Sequence, residues 1–310
     1  MAGGEVMLGN AIDGYLAMRR AAGFELEVPE YLLRSFARFA ASRKESYVRA
    51  QSVVEWASGA PSLSQRDHRL KTVLRFARYA RLEDERHEIP PKDIFGYRKK
   101  RRVPFIYSDT EVLRLLKAAS KLGPPGTLRP YTYQILFALL ITTGLRISEA
   151  LKLHKEDITA DGLVVRETKF HKSRLVPLHE TTHNALDDYL KRREKFPTQT
   201  PHLFVSIRGQ MLDRSSVQWT FRRILSAIGL EPAPNGRWPR IHDMRHTYAV
   251  RVLEQSPEGR DDIGRHMLAL STCMGHSNVA DTYWYLEATP HLLRDIASAC
   301  ESFVEDGGKP

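Results

Sequence analysis

The chain has 310 residues, a formal net charge of +10 and a hydrophobic content of 42%. That is long for one domain and ample for two with separate cores, and the basic surface points to a polyanion, nucleic acid ahead of an anionic membrane. Its two cysteines, Cys273 and Cys300, lack C-x-x-C spacing, and no leader or apolar run of about 18 residues is present; this argues against a disulfide framework, a cysteine zinc site and a membrane partner, and leads us to expect a cytoplasmic protein.

The front of the chain reads as helices over Ile12–Ala22, Pro29–Ser42, Tyr47–Ser58 and Gln65–Leu82, with no strand alternation, so residues 1–95 are expected to form a small all-helical domain. The last of these helices carries Lys71, Arg75 and Arg78 at i, i+4, i+7, opposite Leu70, Val73, Leu74 and Ala77. A basic helical face is most often solvated surface, but the chain-wide excess of positive charge favours contact with a phosphate backbone. From Glu88 to Pro104 the sequence reads as a linker, its basic centre at residues 96–104: Pro90-Pro91, then Arg98, Lys99, Lys100, Arg101 and Arg102. Proline keeps it extended and its like charges repel one another, which suits a strap lying along DNA.

Residues 105–310 read as a second domain, mainly helical with a small antiparallel β-sheet, so that the whole chain is expected to be α+β. Ser108 to Glu111 form a capping box that starts a helix to about Lys121, and Tyr131–Thr143 make a strongly apolar, buried helix broken by Gly144. Next comes Thr143-Gly144-Leu145-Arg146-Ile147-Ser148-Glu149, where Arg146 lies among apolar neighbours and needs an anionic partner. Gly162–Glu167 and Arg174–Leu178 are β-type runs forming a hairpin with lysines at its turn. A helix over Glu180–Lys195, a short strand at Leu203–Ser206 and a helix over Ser215–Ile228 follow.

His242, Arg245 and His246 recur at i, i+3, i+4 on one helical face. Two histidines four apart can present zinc, but the zinc-protease pattern wants Glu after the first, and here Asp243 stands there with Arg245 placing a cation beside any metal. Arginine between histidines suits a phosphodiester better, with oxygens to clamp and protons to move. Near the C-terminus, Asn278 caps a short helix whose buried stripe is Val279, Tyr283 and Leu286; two residues on, Tyr285 is expected off that stripe, on the side of Asp281, free to reach a substrate. Leu292, Leu293, Ile296 and Ala297 mark a final amphipathic helix ending near Val304.

Taken in order, Thr143–Glu149, the hairpin lysine, His-x-x-Arg-His at His242–His246, Gly275-His276 and Tyr285 nine residues after that histidine resemble the tyrosine recombinases, the phage-integrase and Xer-like superfamily. The helical front half and basic linker resemble its core-binding domain. The resemblance implies a site-specific DNA recombinase or integrase in which Tyr285 attacks the scissile phosphate to form a 3′-phosphotyrosyl bond, Arg146 and Arg245 clamp the non-bridging oxygens and Lys169 protonates the leaving 5′-oxygen, with Lys172 as its rival. It makes His242 a proton acceptor or phosphate ligand, His276 a hydrogen-bond donor to the phosphate, and Glu149 and Asp243 residues that orient these side chains. No metal or nucleotide cofactor is implied. The implied partners are a double-stranded recombination site and further copies of the chain, four in the synaptic complex, or related recombinases, with the tail helix docking on a neighbouring copy. An accessory DNA-binding protein of the same fold, or a type IB-like topoisomerase, would share most of these features.

Overall fold

The computed structural model describes residues 3–98, 102–166, 173–198, 200–232, 236–255, 260–275, 278, 282 and 285, with side chains from residue 7 onward and, in the last helix, from residue 264. It divides into two units, Met1–Arg102 and Val103–Pro310.

The first unit is built on α1 (Gly3–Ala21), α2 (Glu27–Ser42), α3 (Ala50–Ser58) and α4 (Leu63–Glu83). Helix α1 begins well before the expected Ile12, because its buried stripe already starts at Leu8 and continues through Ile12, Tyr15 and Leu16. Those residues meet Leu33, Phe36 and Ala40 of α2, Val53 and Trp56 of α3, and Leu70, Val73, Phe76 and Ala77 of α4. Ser62 caps α4 by accepting from the Gln65 amide. On α4, Arg75 and Arg78 are exposed as expected, whereas Lys71 is engaged by Asp67 at 3.0 Å and Asp93 at 3.4 Å.

The stretch after α4 corrects the sequence reading of a linker starting at Glu88. The Glu88 amide donates to the Val48 carbonyl, its carboxylate accepts from the Ala50 amide at 2.8 Å, and Phe95 packs on the core. Two prolines signalled extension there, but a carboxylate that caps α3 and an aromatic anchor hold the extended chain against the helices. Of the basic run, Arg98 is exposed and Arg102 half-buried; Lys99, Lys100 and Arg101 lie outside the described residues.

The second unit is organised around α6 (Arg129–Thr143), which buries Thr132, Tyr133, Leu136, Phe137, Leu139, Leu140, Ile141 and Thr143. A helix apolar on nearly every side must be covered all round. Its covers are α5 (Asp109–Ala119), α8 (Glu180–Arg193) and α10 (Ile241–Glu254), with the short α7 (Ile147–Lys152) following it and α9 (Arg214–Ala227) packing on α5 and α7. The capping box at Ser108 and Glu111 starts α5. The hairpin is present as β2 (Gly162–Val165) paired antiparallel with β3 (Arg174–Val176), and an unexpected two-residue strand β1 (Ile158–Thr159) adds to its other edge. The strand expected at Leu203–Ser206 does not form. Leu203 and Phe204 are buried, but pairing is limited to isolated bridges of His202 with His154 and Val205 with Met211. The apolar run reports burial, and no continuous partner edge lies alongside it. A helix the sequence reading passed over, α11 (Arg260–Met274), packs on α10 and β3.

Candidate active site

Two glycines set up the site. Gly144 ends α6 with a φ of +64°, and a Cβ added there would come within 2.4 Å of the Tyr248 ring, so both the backbone and the space demand glycine. It frees the chain to turn sharply and place Arg146 at the start of α7. Gly275 ends α11 with a φ of +65°, and a Cβ there would fall within 2.7 Å of the Arg174 guanidinium.

Between these turns three arginines converge on the C-terminal end of α11. Three successive carbonyls each accept from a different guanidinium: Cys273 from Arg174 Nε at 2.8 Å, Met274 from Arg245 Nη2 at 2.6 Å and Gly275 from Arg146 Nη2 at 3.1 Å. The last carbonyls of a helix have no intrahelical partner and carry its negative dipole end, so cations are the donors they favour. Arg245 also donates Nη1 to the Gly144 carbonyl at 2.6 Å, so one buried guanidinium ties both glycine turns together.

Glu149 is the anion of the cluster. Its carboxylate accepts from Arg146 Nη1 at 2.7 Å and the Arg146 amide at 2.9 Å, and takes Arg174 bidentately, Nη2 at 2.8 Å and Nη1 at 3.2 Å. Burial pushes the carboxyl up, but the hydrogen bonds and charge of Arg174, and then those of Arg146, outweigh it and bring its pKa down to about 2. Three guanidiniums against one carboxylate leave this cluster with two positive charges. Burial, and next the charge of Arg146, pulls Arg245 down from its ordinary range to about 10, which still leaves it charged near neutrality.

Along α10, the His242 ring stands edge-on to His246 at 4.7 Å between centroids, and His246 in turn lies 5.4 Å from the Tyr285 ring. Crowding around the His242 ring, and then Arg245, Arg240, Arg146 and Arg214, bring its pKa down to about 4. Water reaches this exposed ring and softens the desolvation part; the four cations fix the direction. His242 is therefore a neutral imidazole near pH 7. Asp243, wholly buried, accepts from the Arg240 amide at 2.7 Å and pairs with the Arg240 guanidinium at 3.4 Å, so its charge serves the start of α10.

Tyr285 corrects the sequence reading. It is 3% exposed and packs with Ala249, Leu253, Met267, Leu270 and Met274, and its amide donates to the Thr282 carbonyl at 3.0 Å. Counting faces on an isolated helix could not foresee α11, whose Met267, Leu270 and Met274 close this pocket together with Ala249 and Leu253 of α10. Lys169, Lys172, His276 and Tyr283, together with the tail helix from Pro290, lie outside the described residues. Sequence reasoning assigned no role to Arg174 or to the contact between His246 and Tyr285. The signal for the first was the position of Arg174 opening a strand beside the lysine turn.

Beside Arg146 and His242 opens a cleft of about 430 Å³, with Arg214, Gln218, Arg222 and Arg240 on its walls and, among the described residues, no acidic side chain lining it. A larger cleft of about 880 Å³ lies between α5 and α9 and shares no residue with the arginine cluster; chemistry, not size, selects the site. Among the described residues no group of three or more His, Cys, Asp or Glu is placed to hold a metal ion, and no helix is long and apolar enough to cross a membrane. A cleft lined by Arg146, Arg214, Arg222, Arg240 and the neutral imidazole of His242, next to the buried arginine cluster, is suited to a phosphodiester.

Comparison with known proteins agrees. Residues 106–291 match the phage integrase family. A putative integrase/recombinase, y4rB, of Sinorhizobium fredii is 40% identical over 307 residues, which cover 96% of this chain and 98% of the relative. The Tn1549 transposon integrase in complex with transposon right-end DNA shares the fold with a TM-score of 0.65 at 18% identity, over 93% of this chain and 97% of that one. A lambda integrase tetramer bound to a Holliday junction does so with a TM-score of 0.60 at 19% identity, over 87% and 77% of the two chains. With the family matched across most of the second unit and a relative aligned end to end, the chain belongs to the phage integrase family and is a tyrosine-type site-specific DNA recombinase.

Proposed function

We propose that this recombinase cleaves one strand of a specific duplex site with Tyr285 as nucleophile. The phenolic oxygen attacks the scissile phosphorus, the bond from phosphorus to the 5′-oxygen breaks, and the strand is left joined through its 3′-phosphate to the tyrosine. The tyrosine proton passes to His242, and Lys169, with Lys172 as the alternative, protonates the departing 5′-oxygen. Arg146 and Arg245 hold the non-bridging oxygens, where negative charge grows in the transition state, and His276 donates a further hydrogen bond. A 5′-hydroxyl from a second strand reverses the step and exchanges partners. The observation that carries this reading is the arginine cluster on the end of α11, whose two uncompensated positive charges stand in one unit with Tyr285 and the His242–His246 pair. Arg75, Arg78, Arg98 and the rest of the basic run contact the flanking backbone, Lys71 supporting them from its acidic partners. Exchange takes place between copies of the chain, four at the junction; the tetrameric assembly of lambda integrase supports this arrangement.

A nicked suicide duplex carrying the protein's recombination site tests the reaction. We expect a covalent protein–DNA adduct that forms in excess EDTA, since guanidiniums supply the charge a metal would otherwise bring. Absence of any adduct, or one that needs a divalent ion, would overturn the reading. Supercoil relaxation on any sequence would instead identify topoisomerase chemistry.

The lowered pKa of His242 makes a second expectation. The group must be neutral to accept a proton, so the second-order cleavage rate, which reports the free enzyme, should be flat from roughly pH 6 to 8 and fall only below about pH 5. Removing one of the cations that hold it down, Arg214→Gln, should move this acid limb to higher pH. A wild-type limb centred near the ordinary histidine value would refute the assignment.

A further inference from the structure

Glu149 is surrounded by an imbalance. As a lone partner to Arg146 it would neutralise a guanidinium that the proposed reaction needs at full charge. An anion only 2.7 Å from Arg146 competes directly with an incoming phosphate. Arg174 alters that arrangement: its side chain is 9% exposed, its fork meets both Glu149 oxygens, and its Nε is anchored on the Cys273 carbonyl with the bare Cα of Gly275 lying against the guanidinium. A planar, always-charged fork fits this bidentate role as no ammonium does.

We propose that Arg174 is a positioning residue that compensates the charge of Glu149, so that Glu149 orients Arg146 without neutralising it and the site keeps two positive charges for the phosphate. The match is chemical: a phosphodiester carries one negative charge in its ground state and gains a second as the tyrosine oxygen adds. Arg174 touches none of the reacting atoms in this scheme. It belongs to β3, which pairs with β2 and follows Lys169 and Lys172 in the chain. Gly275 is required here for a second reason besides its positive φ, because any side chain would displace the Arg174 guanidinium.

This inference rests on the phosphate-clamp reading, and the experiment separates the two. Cleavage of the nicked duplex under single-turnover conditions, binding of the same duplex, and thermal melting are measured for wild type, Arg146→Gln, Arg174→Gln, Arg174→Lys, Glu149→Gln and the double variant Glu149→Gln/Arg174→Gln. Arg174→Gln should slow cleavage about 100-fold while weakening binding less than about threefold, a loss in the transition state rather than in the complex. Arg174→Lys, which keeps the charge but not the fork, should stay within about tenfold of wild type. The decisive comparison is a coupling: with Gln at 149 no charge needs compensating, so adding Arg174→Gln should change cleavage less than about threefold. Should Arg174→Gln fail to fold because a buried carboxylate is stranded, Glu149→Gln and the double variant carry the test alone. A loss of more than about tenfold between them overturns charge compensation in favour of a plain structural pin. If Arg146→Gln cleaves normally, the phosphate-clamp reading fails; if it is inactive while the coupling is absent, only the role of Arg174 fails.

Discussion

Tyr285→Phe is expected to lower the rate of covalent protein–DNA adduct formation on the order of 10⁴-fold or more, while the variant should still bind the duplex within about threefold of wild type. The reason is chemical: without the phenolic oxygen there is no atom to join to phosphorus, and water held near the arginines is a poor substitute. The phenyl ring retains its apolar neighbours Leu253, Met267, Leu270 and Met274, so the pocket stays filled. An unchanged melting profile would show that chemistry alone is lost. Adduct formation by Tyr285→Phe at the wild-type rate would remove Tyr285 from the mechanism, and Tyr283→Phe, which should still form the adduct, is the control. The burial of Tyr285 adds a consequence. A ring 3% exposed has to leave its pocket to meet a duplex, so cleavage should include a conformational step that binding does not.

Arg245→Met should cost on the order of 10³-fold in cleavage and change stability by less than about 2 kcal/mol, because two energetic effects oppose each other. Holding this guanidinium charged in the fold is unfavourable: a pKa pulled down from its ordinary range to about 10 corresponds to a cost on the order of 3 kcal/mol. The sign follows from linkage. The unfolded chain holds the proton more tightly, so the cost is fully present at pH 7 and diminishes only as pH rises above about 10. Methionine removes that cost but orphans the carbonyls of Gly144 and Met274, at about 1–3 kcal/mol each. A side chain whose charge the fold tolerates at a loss is retained for what the charge does. Equal losses of stability and activity, read by melting and by adduct formation, would instead make Arg245 an ordinary structural residue.

Much of this was legible before any coordinates. The apolar helix closed by Gly144, the capping box at Ser108, the paired strands and the helix carrying His242 and Arg245 each have a local cause: a cap, a glycine, a period of two or 3.6. Failures fell where the cause was not local. Leu203–Ser206 was apolar and short, but a strand needs a partner edge, which the run itself does not contain. Glu88–Phe95 has a linker's composition, and only Val48, Ala50 and the first core reveal it as a packed strap. Counting faces on the short helix expected there puts Tyr285 outward, but α10 and α11, supplied from elsewhere in the chain, pack around it.

By itself the sequence determined the family and the fold class, because these depend on which side chains occur and in what spacing. Only the tertiary structure decided how the charges of the site are balanced. Glu149 faces two arginines because β3 folds back to α7, and three guanidiniums share one helix end because the start of α7, β3 and α10 all converge on the last turn of α11. Electrostatics depends on distance in space, and residues 146, 174, 245 and 275 acquire theirs only when the chain has closed around them.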